Sequence, residues 1–186
     1  MNVLALLGSP KKNGNTASVL KSFLKGLKES CNVEIEQIFL HEKKIFPCTG
    51  CDSCQKYREP ACVIKDDMIE LYPLLQKSEL IVMATPVYWW SVSAQLKLFI
   101  DRMYAMMKGE DNANLSGKKI VLLTTYGGED PNTGPDIIKR MLEDICEFTG
   151  MKLIHTFGVC TGKLDAANNP DALERAYCLG KECIGC

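Results

Sequence analysis

The segment LLGSPKKNGNT, residues 6–16, joins a short apolar run to an amphipathic one and thereby indicates the class of fold. The apolar run 3–7 before it predicts a buried strand. After it, apolar residues recur at helical spacing over 16–29, which predicts a helix with one buried face. The first turn of such a helix offers unpaired N–H groups and a partial positive charge. The loop is therefore suited to hold an anion at the carboxyl end of the strand.

Spacing within this loop excludes two common nucleotide-binding motifs. Five residues separate Gly8 from Gly14 where the Walker motif has four, and Asn15 occupies the position of its phosphate-binding lysine. The dinucleotide-binding pattern G-x-G-x-x-G is also absent. The loop instead supplies neutral donors and a cation, a mixture that suits a terminal monophosphate: Ser9, Lys11 or Lys12, Asn15 and Thr16. The alternative is an ordinary turn with a helix cap at Asn15 or Thr16.

The rest of the chain repeats the alternation of strand and helix. Further strands are predicted over 33–39, 80–84, 120–124 and 153–159, and helices over 67–76, 91–107, 136–148 and 171–182. Asp67 and Glu70 resemble a capping box at the start of the second helix. Continuous apolar strands between helices are typical of a parallel sheet covered on both faces. The sequence therefore predicts one doubly wound α/β domain over residues 1–186, with a cysteine-bearing insertion at 41–65.

Composition limits the classes of function. The chain has 186 residues, of which 46% are apolar and 24% charged, and a net charge of −1, which suits one globular domain. This charge gives no basic field for nucleic acid, and the apolar stretch 80–90 is too short to cross a bilayer. Because the N-terminus shows no basic leader, we expect a cytoplasmic protein. In that reducing compartment, ten cysteines are expected as metal ligands, redox groups or buried thiols rather than as disulfides.

Two further strand ends carry residues that suit a planar ring. TPVYWWSV, residues 85–92, places three aromatic residues directly after Pro86, which stiffens the turn. Flat aromatic faces beside exposed backbone groups are what a planar heteroaromatic ligand requires. The alternatives are an aromatic cluster on the following helix or an oligomer interface. TTYGGED, residues 124–130, brings Gly127 and Gly128 to the next strand end, where they either let a ligand approach the backbone or simply form a turn.

These motifs together resemble the flavodoxin-fold flavin reductase family. GSPKKNGNT, then PVYWWSVSAQLKLFIDR at 86–102, and then the glycine loop at 127–128 carry the resemblance, which covers most of residues 2–160. It implies a flavodoxin-like, five-stranded parallel sheet and bound FMN, with the first loop on the ribityl phosphate and the other two around the isoalloxazine ring. Asp101 and Arg102 are interpreted as an ion pair or a subunit contact, and no catalytic acid or base is assigned.

The implied FMN contacts lie on these three loops. They are Ser9, Lys11, Asn15, Thr16, Ala17, Pro86, Val87, Tyr88, Trp89, Trp90, Tyr126, Gly127 and Gly128. A phosphate site of this kind explains the missing Walker lysine, because a monophosphate flavin brings neither a triphosphate nor Mg²⁺.

The segment PCTGCDSCQKYREPAC, residues 47–62, has metal-ligand spacing. Its cysteines follow C-x2-C-x2-C-x7-C, in which three can wrap one cubane and the fourth closes it: Cys48, Cys51, Cys54 and Cys62. Zinc sites usually use two separated C-x2-C pairs, and Cys51 cannot serve both. The motif is similar to that of the iron–sulfur flavoproteins, which carry compact cysteines at this place. It predicts a [4Fe–4S] cluster, with free or redox-active thiols and zinc as the alternatives.

The sequence therefore predicts an oxidoreductase that binds FMN and a [4Fe–4S] cluster. It would pass electrons from a ferredoxin-type donor to a small acceptor such as a quinone or an oxygen species. The alternatives are an NAD(P)H-dependent FMN or quinone reductase without a cluster, and a flavin-binding module with a structural zinc. Apolar surface around Trp89, Trp90 and the cysteine insertion predicts a homo-oligomer, and the family resemblance implies a homodimer or homotetramer. No nucleic-acid or membrane partner is expected.

Overall fold

The fold is built on a five-stranded parallel sheet in the order β2-β1-β3-β4-β5. The computed structural model describes residues 1–56, 62–107 and 114–185. The strands are β1 (Asn2–Leu7), β2 (Glu34–Phe39), β3 (Leu80–Pro86), β4 (Lys119–Tyr126) and β5 (Lys152–Cys160). The three central strands are almost wholly buried and the two edge strands are largely half-exposed or exposed. This architecture confirms the predicted flavodoxin-like fold.

Helices cover both faces of the sheet. They are α1 (Asn15–Ser30), α2 (Ser53–Lys56), α3 (Met68–Lys77), α4 (Ala94–Arg102), α5 (Thr133–Thr149) and α6 (Pro170–Glu182). α1 and α6 pack on one face, whereas α3, α4 and α5 pack on the other. The first two approach backbone to backbone, since a Cβ added at Gly180 would lie 2.0 Å from the carbonyl oxygen of Phe23. Glycine is therefore required at this crossing.

The helix predicted over 91–107 is shorter in the structure. It begins at Ala94 because a tight turn occupies residues 88–91, and the Ser93 hydroxyl caps it by accepting from a backbone N–H. It ends at Arg102 and continues as a 3₁₀ turn over Met103–Met106. In the described residues, no helix is long and apolar enough to cross a membrane.

The capping box predicted at Asp67 and Glu70 is wrong. The Asp67 carboxylate makes no cap on α3, and instead accepts a hydrogen bond from the N–H of Lys44 at 2.8 Å. Asp66 accepts from the N–H of Met68 at 3.0 Å. Both carboxylates also accept from backbone N–H groups of the cysteine-bearing insertion, and so hold it against the start of α3.

Candidate functional site

The ends of β1, β3 and β4 form one cleft, which we call the strand-end cleft. It brings together the three loops that the sequence singled out. Its walls are Ser9, Lys11, Gly14, Asn15, Thr16, Pro86, Val87, Tyr88, Thr125, Tyr126, Gly127 and Thr161. Nine of the predicted flavin contacts are in this set. The cleft lies outside the carboxyl ends of a parallel sheet, where ligands bind in open α/β folds.

The N-terminus of α1 points into the strand-end cleft without a side-chain cap. Gly14 is the N-cap residue and supplies no side-chain cap, and no acidic residue stands in the first turn. By contrast, Ser93, Asn132 and Asn169 cap α4, α5 and α6 with their side chains. The first-turn N–H groups of α1 are thus left to an external acceptor, as a phosphate-binding helix requires.

The polar side chains of the first loop differ in how far the chain itself uses their hydrogen bonds. The Thr16 hydroxyl is buried and lies 2.7 Å from the Thr125 hydroxyl, so only one of the two protons is used between them. Asn15 is held by the chain itself, because its amide donates to Asp165 at 3.0 Å and accepts from the N–H of Ala166 at 2.8 Å. The predicted role of Asn15 as a phosphate donor therefore competes with a structural role.

The two lysines of the loop also differ. Lys12 forms an exposed ion pair with Glu42 at 3.0 Å, whereas Lys11 lines the strand-end cleft. Gly8 lets α4 approach the loop: a Cβ there would lie 2.9 Å from that of Leu96. The Ser93 hydroxyl donates to the Gly8 carbonyl oxygen, which fixes the loop against the start of α4. The loop therefore brings neutral donors, such as the Thr16 hydroxyl, and the cation of Lys11 to the cleft, which suits a terminal phosphate.

The aromatic loop forms a two-residue turn with strained backbone. Tyr88 and Ser91 exchange both backbone hydrogen bonds at 3.0 Å, and φ is +49° at Trp89 and +58° at Trp90. The left-handed region costs a bulky residue about 1–2 kcal/mol. Trp89 is 91% exposed, whereas the Trp90 indole N–H donates to the Thr133 hydroxyl at 3.1 Å. Only Tyr88 of the three aromatic side chains lines the strand-end cleft.

The glycine loop closes the third side of the cleft. Gly128 has a φ of +83°. A Cβ added at Gly162 would lie 2.1 Å from the carbonyl oxygen of Gly128, so the two glycines approach closely. The Thr161 hydroxyl donates to the Tyr126 carbonyl oxygen at 3.0 Å. Burial and a hydrogen bond to Asp130 raise the pKa of Tyr126 to about 12, so its hydroxyl stays protonated at neutral pH.

Four predicted flavin contacts do not line the cleft in the structure: Ala17, Trp89, Trp90 and Gly128. Their part in flavin binding stays a prediction. Conversely, sequence reasoning missed Gly14, Thr125 and Thr161. Thr125 follows the apolar core of β4 at the same strand end as the glycine loop, and this position was a signal that could have found it.

The cysteine-bearing insertion is anchored by a buried ion pair. The side chains of Arg102 and Asp66 are 1% and 0% exposed, and the guanidinium binds both carboxylate oxygens. Arg102 also donates to the Phe46 carbonyl oxygen at 2.8 Å, and Asp66 accepts from the Phe46 N–H at 2.9 Å. Burial opposes ionisation of Asp66, but the hydrogen bonds from Arg102 and the backbone hold its pKa below the usual value.

This pair corrects the prediction for Asp101 and Arg102, which do not pair with each other. Asp101 instead forms an exposed pair with Lys97 one turn earlier on α4, at 2.6 Å. Arg102 reaches a carboxylate that lies 36 positions away along the chain. Asp101 therefore makes a contact at the surface, whereas Arg102 makes a buried one.

The four cysteines of the insertion occupy different environments. Cys48 and Cys51 are exposed, Cys54 is buried, and Cys62 is half-buried. Hydrogen bonds to Ser53 lower the pKa of the Cys51 thiol to about 7, which favours the thiolate that binds metals. Among the described residues, no three cysteine, histidine or acidic side chains converge as a preformed metal centre.

The cysteines lie at the end of α4 that is remote from the strand-end cleft. The Gln55 amide donates to the Tyr104 carbonyl oxygen at 2.9 Å, just after α4, whereas Ser93 contacts the first loop at Gly8, just before it. The nine residues of α4 rise about 13 Å. The insertion begins nearer the cleft, since Nδ1 of His41 lies 3.4 Å from Nε2 of Gln95 in the first turn of α4. It then runs along α4.

The donor chemistry is compatible with an iron–sulfur centre. Four thiols lie in one segment, and the Nε of Arg102 beside it is a buried nitrogen with no hydrogen-bond partner. Arg102 contacts the chain on both sides of these thiols, at the Phe46 carbonyl oxygen and at Asp66. A cluster bound by thiolates is negatively charged and fits such a site.

Fold and cleft together define a flavodoxin-like protein whose first strand end lies in a cleft at the uncapped start of α1. A sequence profile of the family described as NADPH-dependent FMN reductase matches residues 1–159. An iron–sulfur flavoprotein of Methanocaldococcus jannaschii is 30% identical over 191 residues, which cover 98% of this chain and 95% of that protein. One of Archaeoglobus fulgidus is 45% identical over 103 residues, which cover 55% of this chain and 46% of that protein.

Solved structures agree on the fold. The NAD(P)H:quinone oxidoreductase from Methanothermobacter marburgensis superposes with a TM-score of 0.74 at 20% identity, covering 98% of both chains. The chain therefore belongs to the family of NADPH-dependent FMN reductases and iron–sulfur flavoproteins. It is a flavin redox protein and an FMN-dependent oxidoreductase, as the sequence predicted.

Proposed function

We propose that the protein binds FMN and one [4Fe–4S] cluster and passes electrons from a ferredoxin-type donor, through both, to a small acceptor such as a quinone or an oxygen species. When bound, FMN accepts one or two electrons and the cluster accepts one. The observation that carries this proposal is the cysteine insertion, held by a buried ion pair in a chain whose strand ends form a cleft at the uncapped start of α1. The names of the related iron–sulfur flavoproteins support it.

The chain's own residues would position the flavin. The uncapped first turn of α1, the Thr16 hydroxyl and Lys11 would hold the phosphate. Tyr88 and the backbone around Gly127 would flank the ring. Because Tyr126 remains protonated, its hydroxyl adds no negative charge beside the flavin.

Cys48, Cys51, Cys54 and Cys62 would hold the cluster. Cys54 and Cys62 already pack against the core that α3 and α4 share, so ligand binding would chiefly order the two exposed cysteines. We further propose a homodimer or homotetramer, since the exposed Trp89 and Trp90 lie beside the strand-end cleft. A second copy there would cover the aromatic surface and add its own cofactors near the cleft.

Metal content tests the proposal. Anaerobically purified protein should contain about four iron atoms per chain. Protein without metal would favour the NAD(P)H-dependent FMN or quinone reductase that the family description suggests, and one zinc would favour a structural metal site.

A cysteine variant tests the electron path. Cys51→Ala should lose iron and keep FMN, because Cys51 lies outside the strand-end cleft. Reduction of its flavin by reduced ferredoxin should become much slower, whereas reduction by dithionite should be unchanged. Cys178→Ala, in the half-exposed part of α6, is the matched control and should behave like the parent. Flavin reduction by ferredoxin at the parental rate in Cys51→Ala, measured by anaerobic stopped flow, would refute the path.

A further inference from the structure

The buried Arg102 carries an unused hydrogen-bond donor. Asp66 occupies the fork formed by the two terminal guanidinium nitrogens, and one of these also donates to the Phe46 carbonyl oxygen. The third nitrogen, Nε, lies outside these contacts. In the described part of the chain, it is the one buried side-chain nitrogen or oxygen that has no hydrogen-bond partner.

Such an arrangement is costly if its role is only to hold the insertion. A buried ion pair often contributes no more stability than well-packed apolar side chains, and a buried N–H without an acceptor destabilises the fold. Folded proteins rarely leave a buried N–H without an acceptor, and a bound water, ion or ligand can supply one. The position therefore calls for an acceptor that the polypeptide itself does not supply.

The neighbouring cysteine motif identifies that acceptor. Arg102 donates to the carbonyl oxygen of Phe46, two residues before the first cysteine of the motif, and binds Asp66, four residues after the last. Cys62 is half-buried and packs against the core that contains Tyr72, whose hydroxyl donates to the Arg102 carbonyl oxygen at 3.3 Å. A thiolate-bound cluster at this place would bring sulfur atoms and negative charge to the unpaired N–H.

We infer that Arg102 donates from Nε to the sulfur atoms of the cluster at Cys62 and thereby sets the cluster's reduction potential. This inference rests on the proposed function. Reduction adds negative charge to a centre that is already negative, and hydrogen bonds to its sulfur atoms stabilise the reduced form. Arg102 therefore raises the potential, whereas the carboxylate of Asp66, of opposite charge in the same pair, lowers it.

Substitutions at the two members of the ion pair should shift the cluster's reduction potential in opposite directions, and this difference is the test. Arg102→Lys keeps the positive charge beside Asp66 but removes the N–H at the Nε position, so the cluster potential should shift downward. Asp66→Asn removes the negative charge and keeps an oxygen acceptor for the guanidinium, so the potential should shift upward. Asp101→Asn, in the exposed pair on the same helix, is the matched control and should leave the potential unchanged.

The measurement is an anaerobic redox titration of the cluster followed by electron paramagnetic resonance, with iron and FMN contents determined for each variant. Shifts of opposite sign, with the flavin potential unchanged, are the expected result. Unchanged cluster potentials in iron-loaded variants would overturn the inference. Loss of iron from both variants with the control fully loaded would also overturn it, since anchoring would then explain the pair. A parent protein without iron would instead mark a failure of the proposed function itself.

Discussion

Replacing Thr16 by valine should weaken FMN binding through the phosphate alone. The Thr16 hydroxyl is buried at the first turn of α1, beside N–H groups that no side chain caps. It shares one hydrogen bond with Thr125, so the second proton of this pair is available to a phosphate oxygen. A hydrogen bond to a charged group is worth about 1.5–3 kcal/mol, and each 1.4 kcal/mol corresponds to a factor of ten in affinity. The dissociation constant for FMN should therefore rise roughly 10- to 150-fold.

Riboflavin separates this effect from a change in the shape of the cleft, because it has the same ring system and no phosphate. Fluorescence titration of the apoprotein should show weaker FMN binding in Thr16→Val and unchanged riboflavin binding. Thr16→Ser keeps the hydroxyl and should bind FMN nearly as tightly as the parent. If FMN and riboflavin weaken equally, Thr16 acts through packing; if neither weakens, the phosphate is held elsewhere.

Three further predictions concern the cofactor, the core and the thiols. Flavin released by heat should chromatograph as FMN, since only one anion loop is found in the sequence; FAD would contradict the site. Gly180→Ala should lower the free energy of urea unfolding by about 1–3 kcal/mol, because its Cβ would meet the Phe23 carbonyl oxygen at 2.0 Å, and an unchanged midpoint would show that α6 can shift. Burial raises the pKa of Cys146 and Cys183 to about 11, so both stay protonated at pH 8 and should resist alkylation until pH approaches 11; rapid native labelling at pH 8 would refute this.

The sheet and its helices could be predicted because their signals are local. Apolar runs such as 80–84 and the helical periodicity of 16–29 each arise within one segment. The start of α4 could not be predicted in this way. Residues 91–93 have helix-compatible neighbours, but Ser91 pairs with Tyr88 across a turn whose two tryptophans adopt left-handed backbone. A sequence pattern does not reveal that strain.

In the candidate site, too, local features could be predicted and contacts between distant segments could not. Loops that follow predicted strands were assigned to the cleft, because parallel strand ends meet at one edge of the sheet. Thr125 and Thr161 were missed, since their roles depend on contacts with Thr16 and Tyr126 from other segments. The true partner of Arg102 was missed for the same reason, since a neighbouring Asp101 offered a simpler local pairing.

α4 connects the two proposed cofactor sites physically. Just before it, Ser93 binds the first loop at Gly8; at its last residue, Arg102 holds the cysteine insertion through Asp66. A helix is stiff over nine residues, so these two contacts hold the first loop and the cysteine insertion about 13 Å apart along α4. A change at Arg102 can therefore act on the proposed cluster site without disturbing the strand-end cleft, which is why separate measurements of the two potentials can assign its role.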